Sequence, residues 1–222
     1  GDGTIRGAME LAKVWDGGII ACPGTIDNDL WGTDYTIGYD TAVNTALDAI
    51  DKIRDTADSH ERVFFVEVMG RDSGYIAMPC AIGGGAEIVM IPETITSVEQ
   101  VINTLRNGWE RSKTSFIIVI AEGDEEGNAT QIAAEVKEAL PQMDARVTIL
   151  GHVQRGGAPT AADRLLASQI GIATVEGLIN GKSDVMAGIV NSRLVYTPFK
   201  DTINKKKIIN HRFVRMVEIL SI

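Results

Sequence analysis

Short apolar runs alternate with amphipathic segments along most of the chain. Five of the runs predict a buried strand with its exit loop, at 17–24, 62–70, 86–93, 115–123 and 145–157. Between the runs, apolar residues recur at the spacing of one helix face, as at Val43, Ala46, Leu47, Ile50 and Ile53. This alternation predicts an α/β fold whose mainly parallel sheets are covered by helices on both faces.

Three further helical segments are predicted towards the second half of the chain. Ser97 and Gln100 have the spacing of a capping box, which predicts a helix start at this point. A longer helical segment covers 161–179, and a basic, helical segment ends the chain. The helix after the capping box would carry Val98, Val101, Leu105 and Trp109.

The composition narrows the range of partners. A chain of 222 residues allows one large domain or two small ones, and a formal net charge of −9 disfavours a nucleic-acid or membrane surface. The apolar runs are too short to span a bilayer. Cys22 and Cys80 lack CxxC spacing, which indicates reduced thiols. Together these features predict a soluble cytosolic protein.

Chemically active side chains follow four of the predicted strands. Asp27 and Asp29 follow the first, Arg71 the second and Glu122 a later one, and the last exit carries the run from His152 to Arg155. In open α/β sheets, ligands bind outside the carboxyl ends of the strands. Arginine binds phosphate bidentately and a carboxylate accepts a hydroxyl proton, so the set suits a phosphorylated, hydroxyl-bearing substrate.

Four segments now identify a family. "GDGT", "PGTIDNDLWGTDYTIG", "DAIDKIRDTADSHERVFFVEVMGR" and "TILGHVQRGGAPTAADR" occur in this order and resemble the bacterial-type 6-phosphofructokinases over essentially the whole chain. The resemblance implies two Rossmann-like, three-layer domains. The nucleotide-side domain would comprise 1–38 and about 159–206, and the sugar-phosphate-side domain about 39–158 and 207–222.

The resemblance implies an activity and roles for the aspartate loop. The expected reaction transfers the γ-phosphoryl group of ATP to the 1-hydroxyl of fructose 6-phosphate, with Mg2+, in glycolysis. Asp27 would be the base that takes the hydroxyl proton. Asp29 would support the site and its metal environment, and Thr25 would position the sugar. Arg71 would stabilise charge on the transferring phosphoryl group.

The resemblance also implies a sugar-phosphate site shared between subunits of a homotetramer. Arg62 and Arg146 would reach the 6-phosphate from a neighbouring subunit; as ordinary surface salt bridges they would contribute little. The other expected substrate-binding residues are Thr25, Ile26, Asp27, Met69, Gly70, Arg71, Glu122, His152, Val153, Gln154 and Arg155.

For the nucleotide, the resemblance implies a loop at Gly1, Asp2, Gly3 and Thr4, where glycine lets the ATP phosphates approach the backbone. Asp2 would be the Mg2+ ligand. The pyrophosphate-dependent branch typically has Asp in place of Gly3 and Lys in place of Gly24, so glycine at both positions favours ATP.

An allosteric site for ADP or phosphoenolpyruvate is a further implication of the resemblance. A solvated basic helix end explains the same charges equally well, because the helix macrodipole favours cations at a C-terminus. The residues concerned are Arg54, Gly85, Ala86, Glu87, Arg111 and Lys113.

The start of the chain departs from the family pattern. Family members have about a hundred further residues ahead of the "GDGT" loop, within the usual size of a domain. We therefore expect a fragment or a truncated form, which expressed alone would be poorly stable and show only trace kinase activity. A pyrophosphate-dependent enzyme and a non-catalytic sugar-phosphate-binding subunit remain alternatives.

Overall fold

The computed structural model describes residues 1–57 and 62–220. Residues 58–61, inside the third family-like segment, and 221–222, at the end of the predicted sugar-side domain, lie outside this range. The chain forms two compact units, the first comprising Gly1–Thr41 and Ala158–Ile208, the second Ala42–Gly157 and Ile209–Ile222. These limits lie within a few residues of the predicted domain limits, and the assignment of nucleotide and sugar sides to the units stays a prediction.

Helices and strands alternate over most of the described chain, as the apolar pattern predicts, and two strands and two helices follow one another at its end. The helices are α1 Asp2–Leu11, α2 Tyr39–Ala57, α3 Ala77–Gly83, α4 Val98–Glu110, α5 Ala129–Ala139, α6 Ala161–Ile179, α7 Phe199–Asn204 and α8 His211–Leu220. The strands are β1 Ile20–Ala21, β2 Arg62–Val68, β3 Ile88–Met90, β4 Ser115–Ala121, β5 Asp144–Ile149, β6 Val185–Val190 and β7 Arg193–Pro198.

The first unit contains a three-stranded sheet in the order β1-β6-β7. β1 runs parallel to β6, and β7 returns antiparallel to β6. Buried apolar side chains from α1, the loop after β1, β6 and α7 pack together beside this sheet, namely Ile5, Leu30, Met186 and Phe199. This core supports the start of the chain and the loop that carries the predicted base.

The second unit contains a four-stranded, fully parallel sheet in the order β3-β4-β2-β5. Its interior is built on Phe65, Phe116 and Ile118, which are almost completely buried between the sheet, α4 and α5. Because the strands are parallel, the exits of β2 and β4 lie side by side at one edge of the sheet. That edge carries Arg71 and Glu122.

Several local predictions are confirmed and others need correction. The Ser97–Gln100 capping box starts α4, and α6 has the predicted limits. The predicted loop at Gly1–Thr4 is instead the N-cap and first turn of α1. Trp109, near the end of α4, is 38% exposed.

Three elements had no clear signal in the sequence: α1, the short α3 and the return strand β7. The predicted strand at 17–24 is reduced to the two residues of β1. Within residues 1–57 and 62–220, none of the helices has the length and hydropathy needed to cross a membrane.

Candidate active site

The first group of predicted site residues lies in the loop that follows β1. Asp27 is only 4% exposed, although it is a carboxylate in a loop. The Thr25 hydroxyl donates a hydrogen bond to Asp27 Oδ2 at 3.1 Å, and the Asp27 backbone N–H donates to Thr25 Oγ1 at 3.2 Å. Thr25 therefore orients the Asp27 carboxylate. Ile26 and Asp29, its neighbours, are half-buried.

The same loop is fastened to itself and to the sheet. The Thr36 hydroxyl donates to the Thr25 carbonyl at 2.6 Å, and the Thr36 N–H donates to Asn28 Oδ1 at 3.0 Å. Asp34 Oδ2 accepts from the backbone N–H of Asn191, just beyond β6, at 2.7 Å. These bonds hold the aspartate loop in one conformation.

The start of the chain lies beside this loop. The backbone nitrogen of Gly1 donates to the Gly24 carbonyl at 2.9 Å, and a Cβ on Gly1 would lie 3.8 Å from the Cβ of Thr25. Gly3 and Thr4 are exposed in the first turn of α1. The structure therefore brings the predicted phosphate-binding residues next to the predicted base.

The Asp2 carboxylate, the predicted Mg2+ ligand, is accessible in the first turn of α1. Its side chain is 41% exposed, and Arg6 Nε lies 3.9 Å from Oδ2. Among the described residues, no three His, Cys, Asp or Glu side chains group closely enough to hold a metal ion by themselves. Mg2+ is commonly held by one or two carboxylates, water and substrate phosphates, so the residues present fit this mode of binding.

The second group of predicted residues lies at the exits of β2 and β4. Glu122 Oε1 accepts from the Arg71 N–H at 2.8 Å and from the Gly70 N–H at 3.3 Å. Arg71 has φ 53, a left-handed conformation that is uncommon for a residue with a side chain. A Cβ on Gly123 would lie 2.1 Å from the Arg71 carbonyl oxygen. Glu122 and Gly123 thus fix the Arg71 backbone, a role that the sequence did not indicate for either.

The run after β5 forms a 3-10 turn, Gly151–Arg155. Gln154 is 1% exposed, and its Oε1 accepts from the Met69 N–H at 2.8 Å. Gln154 Nε2 finds no hydrogen-bond partner among the described residues. His152 and Arg155 are exposed, as is Val153. Gln154 therefore joins this turn to Met69, and its neighbours face solvent.

Two arginines predicted to bind phosphate converge on one carboxylate that sequence reasoning missed. Arg62 Nε lies 3.0 Å from Asp144 Oδ2, and Arg146 Nη2 lies 2.9 Å from the same oxygen. Burial raises the pKa of Asp144, but hydrogen bonds from Arg146 and Arg62 outweigh it, so the pKa is lowered. The pairing follows from the sheet, because β2 and β5 are neighbours with Arg62 opposite Asp144.

The residues of the predicted effector site form two separate pairings. Arg54 Nη2 donates to the carbonyls of Gly84 and Gly85, the latter at 2.9 Å. Glu87 is 8% exposed; its Oε1 pairs with Lys113 Nζ at 2.7 Å and its Oε2 accepts from the Ile117 N–H at 2.5 Å. The Arg111 side chain donates to a carbonyl of its own helix, and Ala86 is buried. Glu87 and Lys113 thus form an ion pair, while Arg111 is not joined to it.

Asp163 and Lys207 support the aspartate loop, and neither was predicted. Asp163 is 3% exposed and accepts from the N–H groups of Gly38 and Thr41, each at 2.8 Å, at the start of α2. Lys207 donates to Asn28 from the far end of the chain. No signal was drawn from the sequence for Asp163, and the run Lys205–Lys207 resembles any solvated basic segment.

Comparisons with known proteins concern the family and the fold of the chain. The family model described as Phosphofructokinase matches residues 1–178. The chain is 59% identical over 221 residues to an ATP-dependent 6-phosphofructokinase of Cytophaga hutchinsonii, covering 100% of this chain and 67% of the relative.

Two solved structures have the same fold. A phosphofructokinase from Saccharomyces cerevisiae superposes with a TM-score of 0.81 at 30% identity, covering 91% of this chain and 31% of the yeast chain. A pyrophosphate-dependent phosphofructokinase from Marinobacter aquaeolei gives a TM-score of 0.79 at 23% identity, covering 97% and 64% of the two chains. The chain thus spans about two thirds of its Cytophaga relative and about a third of the yeast chain. The predicted α/β phosphofructokinase fold is confirmed.

Proposed function

Because this chain belongs to the phosphofructokinase family, we propose that the complete protein transfers the γ-phosphoryl group of ATP to the 1-hydroxyl of fructose 6-phosphate, giving fructose 1,6-bisphosphate. The prediction of a 6-phosphofructokinase of the ATP-dependent type is confirmed by the family match and by the relative at 59% identity. One observation in the structure carries the proposal. Asp27 is a buried carboxylate, oriented by Thr25, in the loop that lies beside Gly1–Thr4.

Asp27 is the proposed general base. A sugar hydroxyl is a poor nucleophile until its proton has an acceptor, and a positioned carboxylate can supply one. The hydrogen bond from Thr25 to Oδ2 restricts the rotation of the carboxylate, which keeps its direction constant between turnovers. Asp29 lies two residues further on and adds negative charge that supports the metal environment.

Arg71 is the proposed stabiliser of the transferring phosphoryl group. The phosphoryl-transfer transition state spreads negative charge over three oxygens, so positioned cations contribute most of the catalysis available to the protein. Because Glu122 accepts from the Arg71 backbone, the Arg71 side chain starts from a defined main-chain position. The predicted sugar contacts at Met69, Gly70 and Glu122 remain proposals.

Two further groups are proposed to bind the sugar phosphate. Arg62 and Arg146 share Asp144, which gathers two guanidinium groups where a 6-phosphate could exchange for part of that pairing. In a homotetramer these arginines would serve the sugar of a neighbouring subunit. His152 and Arg155, which are exposed, are proposed to bind the sugar and its phosphate.

Mg2+ and the nucleotide are proposed to bind at the start of α1. The ion, when bound with ATP, supplies charge neutralisation to the phosphates. Asp2 would hold it, and the backbone at Gly1–Thr4 would face the phosphates at a helix N-terminus, which favours anions. The cytoplasm, where ATP and phosphorylated sugars are abundant, is the proposed location.

ATP is the proposed donor rather than pyrophosphate. A Cβ at Gly3 or at Gly24 would meet no heavy atom within 4 Å, so both positions have open space in front of them. The Marinobacter pyrophosphate-dependent structure supports the fold alone, at 23% identity, whereas the ATP-dependent Cytophaga relative is 59% identical. The effector site at Glu87 and Lys113 is proposed as a regulatory site for a phosphorylated metabolite.

A donor and variant assay on the complete protein tests this function. We expect ATP with Mg2+ to support sugar phosphorylation and pyrophosphate not to, in a coupled assay. Asp27→Ser is expected to lower turnover by at least about 10²-fold with little change in sugar affinity. Asp16→Ser, an exposed aspartate of the same chain, is the matched control and should leave turnover unchanged.

The results separate the alternatives. Turnover that survives Asp27→Ser contradicts the base assignment, and a higher rate with pyrophosphate contradicts the assignment of the donor. Calorimetric titration with fructose 6-phosphate tests the alternative of a non-catalytic sugar-phosphate-binding subunit. Binding of the sugar without turnover by the wild-type protein would indicate a binding subunit.

A further inference from the structure

Lys207 reaches the aspartate loop from the opposite end of the sequence. It follows α7 and is half-buried, unlike the exposed lysines at 205 and 206. Its Nζ lies 2.7 Å from the Asp34 carbonyl, 3.1 Å from the Asn28 carbonyl and 3.0 Å from Asn28 Oδ1. All three acceptors belong to the loop that carries Asp27.

Asn28, the residue next to Asp27, lies at a turn of this loop. It is 3% exposed and has φ 54, a left-handed conformation that asparagine adopts more readily than most residues with a side chain. Its Nδ2 donates to the Asp34 carbonyl at 3.1 Å, so Asn28 and Asp34 are also bonded to each other. A cation that binds both residues stabilises the turn between them.

The ammonium group of Lys207 has several acceptors in this loop. A lysine ammonium has three N–H donors and no acceptor, and Nζ faces three oxygens here. Burial lowers the pKa of Lys207 to about 8, against the opposing effect of the Asp34 and Asp29 carboxylates. A partly desolvated ammonium is unfavourable by itself. Its hydrogen bonds to the loop offset that desolvation cost.

We propose that Lys207 is a positioning residue for catalysis, which holds the backbone of Asn28 and so fixes the direction of the adjacent Asp27 carboxylate. The inference rests on the proposed function, in which Asp27 takes the hydroxyl proton. In this role Lys207 itself contacts neither sugar nor nucleotide. Its removal is therefore expected to slow turnover without weakening substrate binding.

The test compares three variants in the complete protein. Lys207→Met keeps the length of the side chain and removes every donor, Lys207→Arg keeps a cation with donors, and Lys206→Met is the exposed control from the same segment. A shift of a reacting group by about 1 Å can cost about 10²-fold in rate. We expect Lys207→Met to lower kcat by at least about 10-fold with the KM for fructose 6-phosphate within about twofold. Lys207→Arg should recover part of kcat, and Lys206→Met should match wild type.

The outcomes distinguish this inference from the proposed function. Asp27→Ser is measured in parallel: if it is inactive while Lys207→Met keeps full kcat, the positioning role is wrong and the base assignment stands. If Asp27→Ser is fully active, the base assignment itself fails, and the inference fails with it. A large rise in KM with unchanged kcat would also overturn the inference. If Lys207→Met does not fold, Lys207→Gln is judged by the same criteria.

Discussion

Replacing Gly123 with alanine tests whether the position of Arg71 sets the rate. Gly123 has no side chain to contact substrate, and its backbone is not left-handed, so alanine adds no conformational strain of its own. The new Cβ would lie 2.1 Å from the Arg71 carbonyl oxygen and 3.0 Å from its carbonyl carbon. The substitution therefore acts on Arg71 through the backbone.

The size of the effect follows from these distances. Ordinary contacts of a Cβ atom begin at 3.4 Å, so the segment at Arg71 or the segment at Gly123 must move by about 1 Å. Neither Glu122 bond to the Arg71 turn can keep its geometry after such a shift. A misplacement of about 1 Å costs about 10²-fold in rate, and we expect a fall in kcat of that order.

Steady-state kinetics of the complete protein, with denaturant unfolding in parallel, measures the effect. Gly171→Ala in α6 is the matched control, because a Cβ there meets nothing within 4 Å. It should leave kcat unchanged and slightly raise stability, since alanine is the better helix former. A Gly123→Ala enzyme that is folded and retains kcat within about threefold would refute the role assigned to the position of Arg71.

Two predictions concern stability and reactivity. Asp163→Ala removes the acceptor of the Gly38 and Thr41 N–H groups and should lower the free energy of unfolding by about 2–4 kcal/mol; a loss below about 1 kcal/mol in denaturant titration contradicts this. Burial raises the pKa of the Cys80 thiol from 9.0 to about 12, so alkylation at pH 9 should require unfolding, and rapid labelling of the native protein would contradict this. Because the unfolded thiol releases its proton first, the free energy of unfolding should fall as the pH rises from about 9 towards 12.

The sequence predicted best those features that depend on residues close together in the chain. The Ser97–Gln100 box places the start of α4 because both partners lie within one helical turn. Asp27 could be proposed as the base because the residues that suggest this role lie in one short motif. Lys207 and Asp163 could not be assigned, because their partners lie 122 to 179 positions away and only the folded chain brings them together.

The first turn of α1 shows a feature that neighbouring residues did not predict. Gly1 and Gly3 favour a loop by their intrinsic propensity, yet the segment is helical in the structure. Ile5, in that helix, is 1% exposed and packs in the core of the first unit, which offsets the unfavourable glycines. Tertiary packing of this kind has no local signal in the sequence.

The distant origin of Lys207 has a consequence for the synthesis of the protein. Asn28 leaves the ribosome long before its partner, which lies 179 residues further along the chain. At a translation rate of about 5–20 residues per second, Lys207 is synthesised about 10–40 s after Asn28. The first unit can complete the contacts of this loop with Lys207 only when nearly all of the described chain has been translated. Nascent chains arrested before residue 207 are therefore expected to leave this loop open to proteases, which limited proteolysis of stalled ribosome complexes can measure.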